Sequence, residues 1–165
     1  MTDYCTPPES KPLNSKKRCC PGNGVEGNEV SAKTISHHIK QSWKWKDNGI
    51  HFYFCDDPDC DIVYFGSDDS VILKSQLRTL VGVKETSNDT LACYCFGVTK
   101  EDAINDSSIR EYVMSQTKHA QCSCDVRNPS GRCCLKVFPR ASKWTSTNSK
   151  CSLTGNNLGS MWQLL

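Results

Sequence analysis

Two apolar runs stand out from an otherwise polar chain: Ile50-His51-Phe52-Tyr53-Phe54-Cys55 and Asp61-Ile62-Val63-Tyr64-Phe65, both rich in β-branched and aromatic side chains. Between them lies Asp56-Asp57-Pro58-Asp59-Cys60, whose residues favour a reversal, so the segment predicts a β-hairpin. Upstream, Cys19-Cys20-Pro21-Gly22-Asn23-Gly24 predicts a turn. Thr34 is then placed to cap a short helix with Ile35 and Ile39 on one face and His37 and His38 pointing elsewhere. Between 71 and 83, Leu73, Leu77 and Leu80 recur at helix-like intervals until Gly82 ends the pattern. Residues 84–90 are wholly polar and read as a linker. Past it, Thr99-Lys100-Glu101-Asp102 resembles a capping box, and Ile104, Ile109, Tyr112 and Val113 lay an apolar stripe along roughly four turns of helix. The pattern predicts an α+β chain in four parts. Residues 1–18 are a disordered tail holding Cys5 as an unconstrained thiol, 19–86 and 91–137 are two small modules, and 138–165 is a flexible or aberrant tail with a lone Cys151.

Composition changes the picture at one point. The chain has 165 residues, 37% of them hydrophobic and 8% aromatic, which makes a thin core for its size. Twelve cysteines supply the missing cohesion. In a secreted scaffold they would pair as disulfides. The stretch from Met1 to Lys17 is polar and carries Pro7, Pro8 and Pro12 with no apolar core of a signal peptide, and no run is long enough to cross a bilayer. The expectation is a cytoplasmic protein, not inserted in a membrane, whose clustered cysteines stay reduced and bind metal. A net charge of +2 from 20 basic and 18 acidic side chains gives no electrostatic case for nucleic acid, and Lys16-Lys17-Arg18 is too short a basic run to alter that.

The cysteines fall into two groups. Cys55 and Cys60, in Cys-x4-Cys spacing at the hairpin tip, can face one metal ion together with Cys20 and its neighbour Cys19 from the upstream turn. Zinc suits such a site, because a tetrahedral, redox-silent ion bound by thiolates ties two short segments together. Cys19, His51 or one of Asp56, Asp57 and Asp59 is available as the fourth ligand. In the second group, Cys93-Tyr94-Cys95 is followed by Cys122, Cys124 and the adjacent Cys133 and Cys134. The turn of Asn128-Pro129-Ser130-Gly131 is placed to bring Cys124 back toward the last two. Four such thiolates can hold a [2Fe–2S] cluster, the close Cys93/Cys95 pair gripping one iron and the distant residues the other. A redox disulfide or a second zinc remains an equal reading of the spacing alone. The capping-box helix starts just after Cys95, so its positive end would favour the reduced state of a cluster there.

Several segments, taken together and in order, resemble the N-terminal domain of CopZ-type copper chaperones. They are Phe52-Tyr53-Phe54-Cys55, Cys60 to Phe65, Val81-Gly82-Val83-Lys84-Glu85, Cys93-Tyr94-Cys95 and Asn128 to Cys134. The resemblance spans about residues 19–134. It implies a zinc-binding β-hairpin module joined to a small helical [2Fe–2S] module similar to bacterioferritin-associated ferredoxin. By position, zinc would fall to Cys20, Cys55 and Cys60 with Cys19 in reserve, and the cluster to Cys93, Cys95, Cys124 and one of Cys133 or Cys134, with Cys134 preferred. The family often carries a second cysteine three residues after the one matching Cys20, where Asn23 stands here. Complete copper chaperones of this kind continue into a heavy-metal-associated domain with a Met-x-Cys-x-x-Cys loop, and this sequence contains no such motif.

The functional expectation is a non-enzymatic one-electron carrier in copper or other heavy-metal handling. It would reduce Cu(II) to Cu(I) for a heavy-metal-associated chaperone domain or a metal-exporting ATPase, with an electron donor the sequence does not name. Two other classes compete: a thiol-rich metallochaperone or scavenger without a redox role, and a zinc-only scaffold. His37, His38, His51 and His119 form no catalytic constellation with any cysteine in the sequence, and no phosphate-binding glycine loop is present.

Overall fold

The computed structural model describes residues 17–136 together with Phe138. Five short strands, β1 (Lys17–Cys19), β2 (Glu26–Val30), β3 (Phe52–Phe54), β4 (Ile62–Gly66) and β5 (Val71–Leu73), form one antiparallel sheet in sequence order. The expected hairpin is its centre, with Phe52 opposite Gly66, Tyr53 opposite Phe65 and Phe54 opposite Tyr64. Side chains alternate across a strand, so the paired Phe54 and Tyr64 project to one face and Tyr53 and Phe65 to the other. Both pairs are buried. That is why these strands read as continuous apolar runs instead of alternating with polar residues. On one face Phe54 and Tyr64 pack with Val30, Ile35, Ile72, Leu77 and Val81. On the other, Tyr53 stacks on Phe65 at 5.7 Å beside Cys20 and Cys55.

Helix α1 (Ala32–His38) follows β2, as the sequence predicts, but its cap differs. Ser31 is the capping residue, its hydroxyl accepting from the Thr34 backbone N–H at 3.2 Å. Thr34 lies inside the first turn, fully buried, and its hydroxyl donates to the Asp125 carbonyl at 2.6 Å. His38 does not point away from the core; it is 1% exposed. The helix expected within 71–83 is absent from the described structure. Strand β5, a single 3₁₀ turn at Lys74–Gln76 and another at Gly82–Lys84 take its place. Leu73 and Leu80 face solvent while Leu77 alone is buried. The leucine spacing is thus the trace of one buried side chain and two exposed ones, and sheet pairing outweighs local propensity.

The second half holds a two-stranded ribbon, β6 (Leu91–Cys93) and β7 (Val98–Thr99), then α2 (Lys100–Asn105), α3 (Ser108–Lys118) and α4 (Cys124–Arg127). The capping box is present, Thr99 and Asp102 satisfying each other's backbone N–H groups. The single long helix expected after it is broken at 106–107. Ile104 and Tyr112 are therefore exposed, whereas Val113 is fully buried and Ile109 partly so. Helix α2 begins at Lys100, beyond β7 rather than beside Cys95.

The ends of the described chain also differ from expectation. Lys17 and Arg18, placed in the N-terminal tail by composition, belong to β1. Phe138, placed at the start of the C-terminal tail, is 3% exposed and packs in the second core. Residues 1–16 with Cys5, and the rest of the C-terminal segment with Cys151, lie outside the described residues. The polar 84–90 segment is packed into the structure: Lys84 is buried, and the Glu85 carbonyl accepts a hydrogen bond from the Lys100 ammonium. The two halves are joined by buried hydrogen bonds. The buried Tyr64 hydroxyl donates to the Pro129 carbonyl at 2.8 Å, next to the Thr34–Asp125 bond.

Candidate metal centres

The first centre is built from two turns. Backbone bonds from Cys20 N–H to the Val25 carbonyl and from Gly24 N–H to the Cys20 carbonyl, both 2.8 Å, close the loop after β1. Gly22 lets this loop lie close to the hairpin, since a Cβ there would meet the Ile62 Cδ1 at 2.9 Å and the Cys60 sulfur at 3.4 Å and the Ile62 side chain would have to shift. Across from this loop, Cys55 follows β3 with its N–H on the Val63 carbonyl at 2.9 Å, and Cys60 closes the hairpin tip. The sulfurs of Cys20, Cys55 and Cys60 all lie within 4.8 Å of one another, Cys20 and Cys60 at 4.0 Å. Sulfurs on a tetrahedral zinc at ~2.3 Å stand about 3.8 Å apart, so the three thiols fit such an ion with little movement.

Electrostatics at this centre are set by burial. Desolvation raises the Cys20 thiol and pushes Cys55 up to about 12, which holds both protonated without a cation. Opposing that, the N–H groups of Gly22 and Asn23 point at the Cys20 sulfur and that of Asp57 at the Cys55 sulfur. Donors so placed favour thiolate once a metal ion offsets the cost of burial. Lys84, 4% exposed, donates from its ammonium to the Asp57 carbonyl at 2.8 Å and to the Cys60 carbonyl at 2.9 Å. It braces both ends of the hairpin tip and sets a positive charge beside the sulfurs.

Among the described residues the candidates for a fourth ligand, Asp56 and Asp59 included, are not brought into this group, although the Asp56 Oδ1 is buried without a partner. Cys19 is disulfide-bonded. His51 pairs with Glu29 at 2.6 Å on the exposed side of the sheet. Asp57 has both carboxylate oxygens engaged, one by the Asp59 N–H and one by the Asn23 amide, each at 2.9 Å. Asn23, which the sequence offered only as a missing cysteine, presents that same amide nitrogen to the Cys55 sulfur at 3.6 Å. Neither its role nor that of Lys84 had a sequence signal, because both depend on chain segments that only the fold brings together.

The second centre gathers Cys93, Cys95, Cys124 and Cys134 around one core. The Cys95 and Cys124 sulfurs are 3.6 Å apart, and Cys93 hydrogen-bonds with Cys134. The pairing is crosswise: each pair takes one cysteine from either side of α2 and α3, instead of Cys93 with Cys95 as the spacing suggested. Cys134, at 1% exposure, is the inward member of the adjacent pair, while Cys133 is half-buried; Cys122 is also half-buried beside this core. Gly131, in the left-handed region at φ 65°, makes the turn that delivers Cys134. The bond from Cys134 lowers the Cys93 thiol to about 6 and the same bond raises Cys134, so the pair shares one proton. Burial pushes Cys124 up to about 12. Backbone N–H groups of Phe96 and Cys95 point at the Cys93 sulfur, and the Ser123 N–H donates to Cys95 at 3.3 Å. Among the described residues the four sulfurs do not all close to within 4.8 Å as those of the first centre do. None of the four histidines reaches either centre: His119 bonds the Ser115 carbonyl and His38 the Thr79 hydroxyl.

Comparison with known proteins places these features. Residues 17–78, which hold the first centre, match a CopZ-type family described as a zinc binding domain. The chain is 36% identical over 118 residues to the copper chaperone CopZ of Archaeoglobus fulgidus, covering 70% of this chain and 57% of that protein. The chain thus spans little more than half the length of that relative. The X-ray structure of the Archaeoglobus fulgidus CopZ N-terminal domain superposes with a TM-score of 0.59 at 34% identity, over 71% of this chain and 92% of that one.

Proposed function

The chain belongs to the family of CopZ N-terminal domains, and from that premise we propose that it handles a thiophilic metal ion in copper homeostasis, with zinc held by Cys20, Cys55 and Cys60. One observation carries the reading: three thiol sulfurs from two separate turns converge within 4.8 Å in a domain of zinc-binding type. When bound there, zinc supplies a redox-silent link between segments that share little core. The chain's residues do the rest. Tyr53 and Phe65 exclude water from Cys20 and Cys55, the Gly22, Asn23 and Asp57 N–H groups stabilise thiolate, and Lys84 balances its charge.

The relative is named as a copper chaperone, and the proposed role is metal handling of that class: a non-enzymatic metallochaperone working in the cytoplasm. Its proposed partners are a heavy-metal-associated domain or a metal-exporting ATPase. Metal analysis of anaerobically purified protein tests the zinc assignment. A single zinc per chain, lost in Cys55→Ser, is the expected result; zinc content unchanged by that substitution would overturn it.

A second reading, the one-electron carrier, is favoured by the two thiol pairs of the second centre. Cys93, Cys95, Cys124 and Cys134 would hold a [2Fe–2S] cluster, which takes up and releases one electron at a time. Three of these sulfurs are buried and three receive backbone N–H groups, so the site keeps water out and is already prepared for negative charge. An ultraviolet–visible spectrum with iron analysis, then EPR after dithionite reduction, separates the readings. Two irons per chain and a rhombic signal that Cys95→Ser abolishes without loss of zinc support the carrier. Iron-free protein binding copper or mercury at these cysteines supports the metallochaperone without a redox role.

A further inference from the structure

The first centre is asymmetric in a way that bears on what it can do with a metal ion. Cys20 and Cys55 are 2% and 0% exposed, sealed behind Tyr53 and Phe65. Cys60 is half-buried and forms part of the wall of an open cleft of about 350 Å³, which it shares with Asn23, Asp57, Asp59 and Asp61. Among the described residues no further cysteine, histidine or carboxylate donor lies within 4.8 Å of all three sulfurs; the Asp56 Oδ1, buried and unpartnered, stays outside that group. The Asn23 side-chain oxygen accepts from the Val25 N–H at 3.0 Å, and its nitrogen, which cannot ligate, faces Cys55. Both Asp57 oxygens are held by donors within the loops. Three thiolates therefore close three vertices of a tetrahedron, and the fourth faces the cleft. A site with all four positions filled by protein is structural, whereas one that keeps a position open can exchange what it binds.

We propose that Cys20, Cys55 and Cys60 form an open three-thiolate exchange site, whose fourth position admits an external thiolate through the acidic cleft and passes a thiophilic cation by ligand exchange. The inference rests on the reading of these cysteines as a metal site. Asp57 and Asp59 on the cleft wall draw a cation toward Cys60, the one ligand within reach of the opening, while Asp61 is paired with Lys74 at 3.1 Å. In the exchange step the incoming thiol gives up its proton to solvent as its sulfur bonds to the cation. The bond to the Cys60 sulfur then breaks, and Cys60 takes a proton in turn. The oxidation state of the cation is unchanged, and one thiolate has replaced another. Cys20 and Cys55, shielded from the cleft, leave last.

Cobalt(II) reports the number of thiolates bound to it by the intensity of its thiolate charge-transfer band. The full chain, freed of metal and loaded with cobalt, is read as a difference against Cys55→Ser loaded the same way, which isolates the first centre. Added mercaptoethanol should then strengthen the charge-transfer band of the wild type as a fourth thiolate binds. Asn23→Cys should start with the stronger band, ignore mercaptoethanol, and give up zinc to a colorimetric chelator more slowly by on the order of tenfold or more. A wild-type band indifferent to mercaptoethanol, with zinc release as slow as in Asn23→Cys, would overturn the open site. So would a wild-type spectrum that Asp57→Asn alone alters, since Asp57 would then be the fourth ligand. No difference at all between wild type and Cys55→Ser would remove the metal site itself and the inference with it.

Discussion

Lys84 shows how much one side chain decides when it is brought under the right loop. A lysine at 4% exposure is costly unless its ammonium is fully used, and here it spans the Asp57 and Cys60 carbonyls at the hairpin tip. Replacing it by methionine keeps the buried stem and strands two carbonyls. The expected cost is about 2–3 kcal/mol of stability, read as a lower unfolding midpoint, together with weaker zinc retention against a chelator. A midpoint equal to wild type would show that water or another donor takes over both carbonyls. Spacing put Cys55 and Cys60 at one hairpin tip and offered Cys20 together with Cys19 from the upstream turn; the fold brings the Cys20 sulfur to that tip and leaves Cys19 disulfide-bonded. The roles of Lys84 and Asn23 were not legible, since nothing in Val83-Lys84-Glu85 or Gly22-Asn23-Gly24 reveals what the fold lays against them.

Local chemistry foretold the elements in proportion to how much of their hydrogen bonding is local. The hairpin and the Thr99/Asp102 capping box form as the sequence predicts, each closed by residues near in sequence. Helix α1 forms too, yet which of its side chains are buried depends on α4 beyond it. His38 is the clearest case, lodged on the Thr79 hydroxyl against the backbone of Val126 and Asn128, its imidazole lowered to about 4 by burial and then by His37. A group with a depressed pKa favours the fold while neutral. Its contribution is complete above the unfolded value of 6.5 and is lost as pH falls toward 4. Between these limits stability should fall by up to about 1.4 kcal/mol per pH unit. His38→Gln should flatten that slope in chemical denaturation across the same window. An unchanged slope would place the acid sensitivity elsewhere.

At the scale of the whole molecule, the polar 84–90 segment suggested two modules on a linker, whereas the described structure joins them through a buried junction. Tyr64 in the central strand donates to the Pro129 carbonyl, and Thr34 of α1 to that of Asp125. Both acceptors sit in the segment that leads from Cys124 to Cys134, so the hairpin that presents Cys55 and Cys60 also supports the turn that delivers Cys134. Tyr64→Phe leaves the Pro129 carbonyl buried without its partner and should cost about 1–3 kcal/mol. If the junction joins the halves into one folding unit, the variant unfolds in a single transition at a lower midpoint, the same by circular dichroism and by tryptophan fluorescence. Two separated transitions would mean that the halves fold independently.

The donor atoms and the local frames that carry them follow from residue order along the chain. Hydrophobic runs with a turn between them make a hairpin with Cys55 and Cys60 at its tip, and a reciprocal Thr99/Asp102 pair starts a helix, both from short-range steric and hydrogen-bonding rules. Tertiary structure alone decided the partnerships: Cys93 with Cys134 and Cys95 with Cys124, Lys84 beneath the hairpin tip, and a cleft at Cys60 instead of a fourth ligand. These contacts join residues tens of positions apart. Their energies come from burial and from satisfying polar groups that only the packed fold brings within reach, and no periodicity along the chain records them.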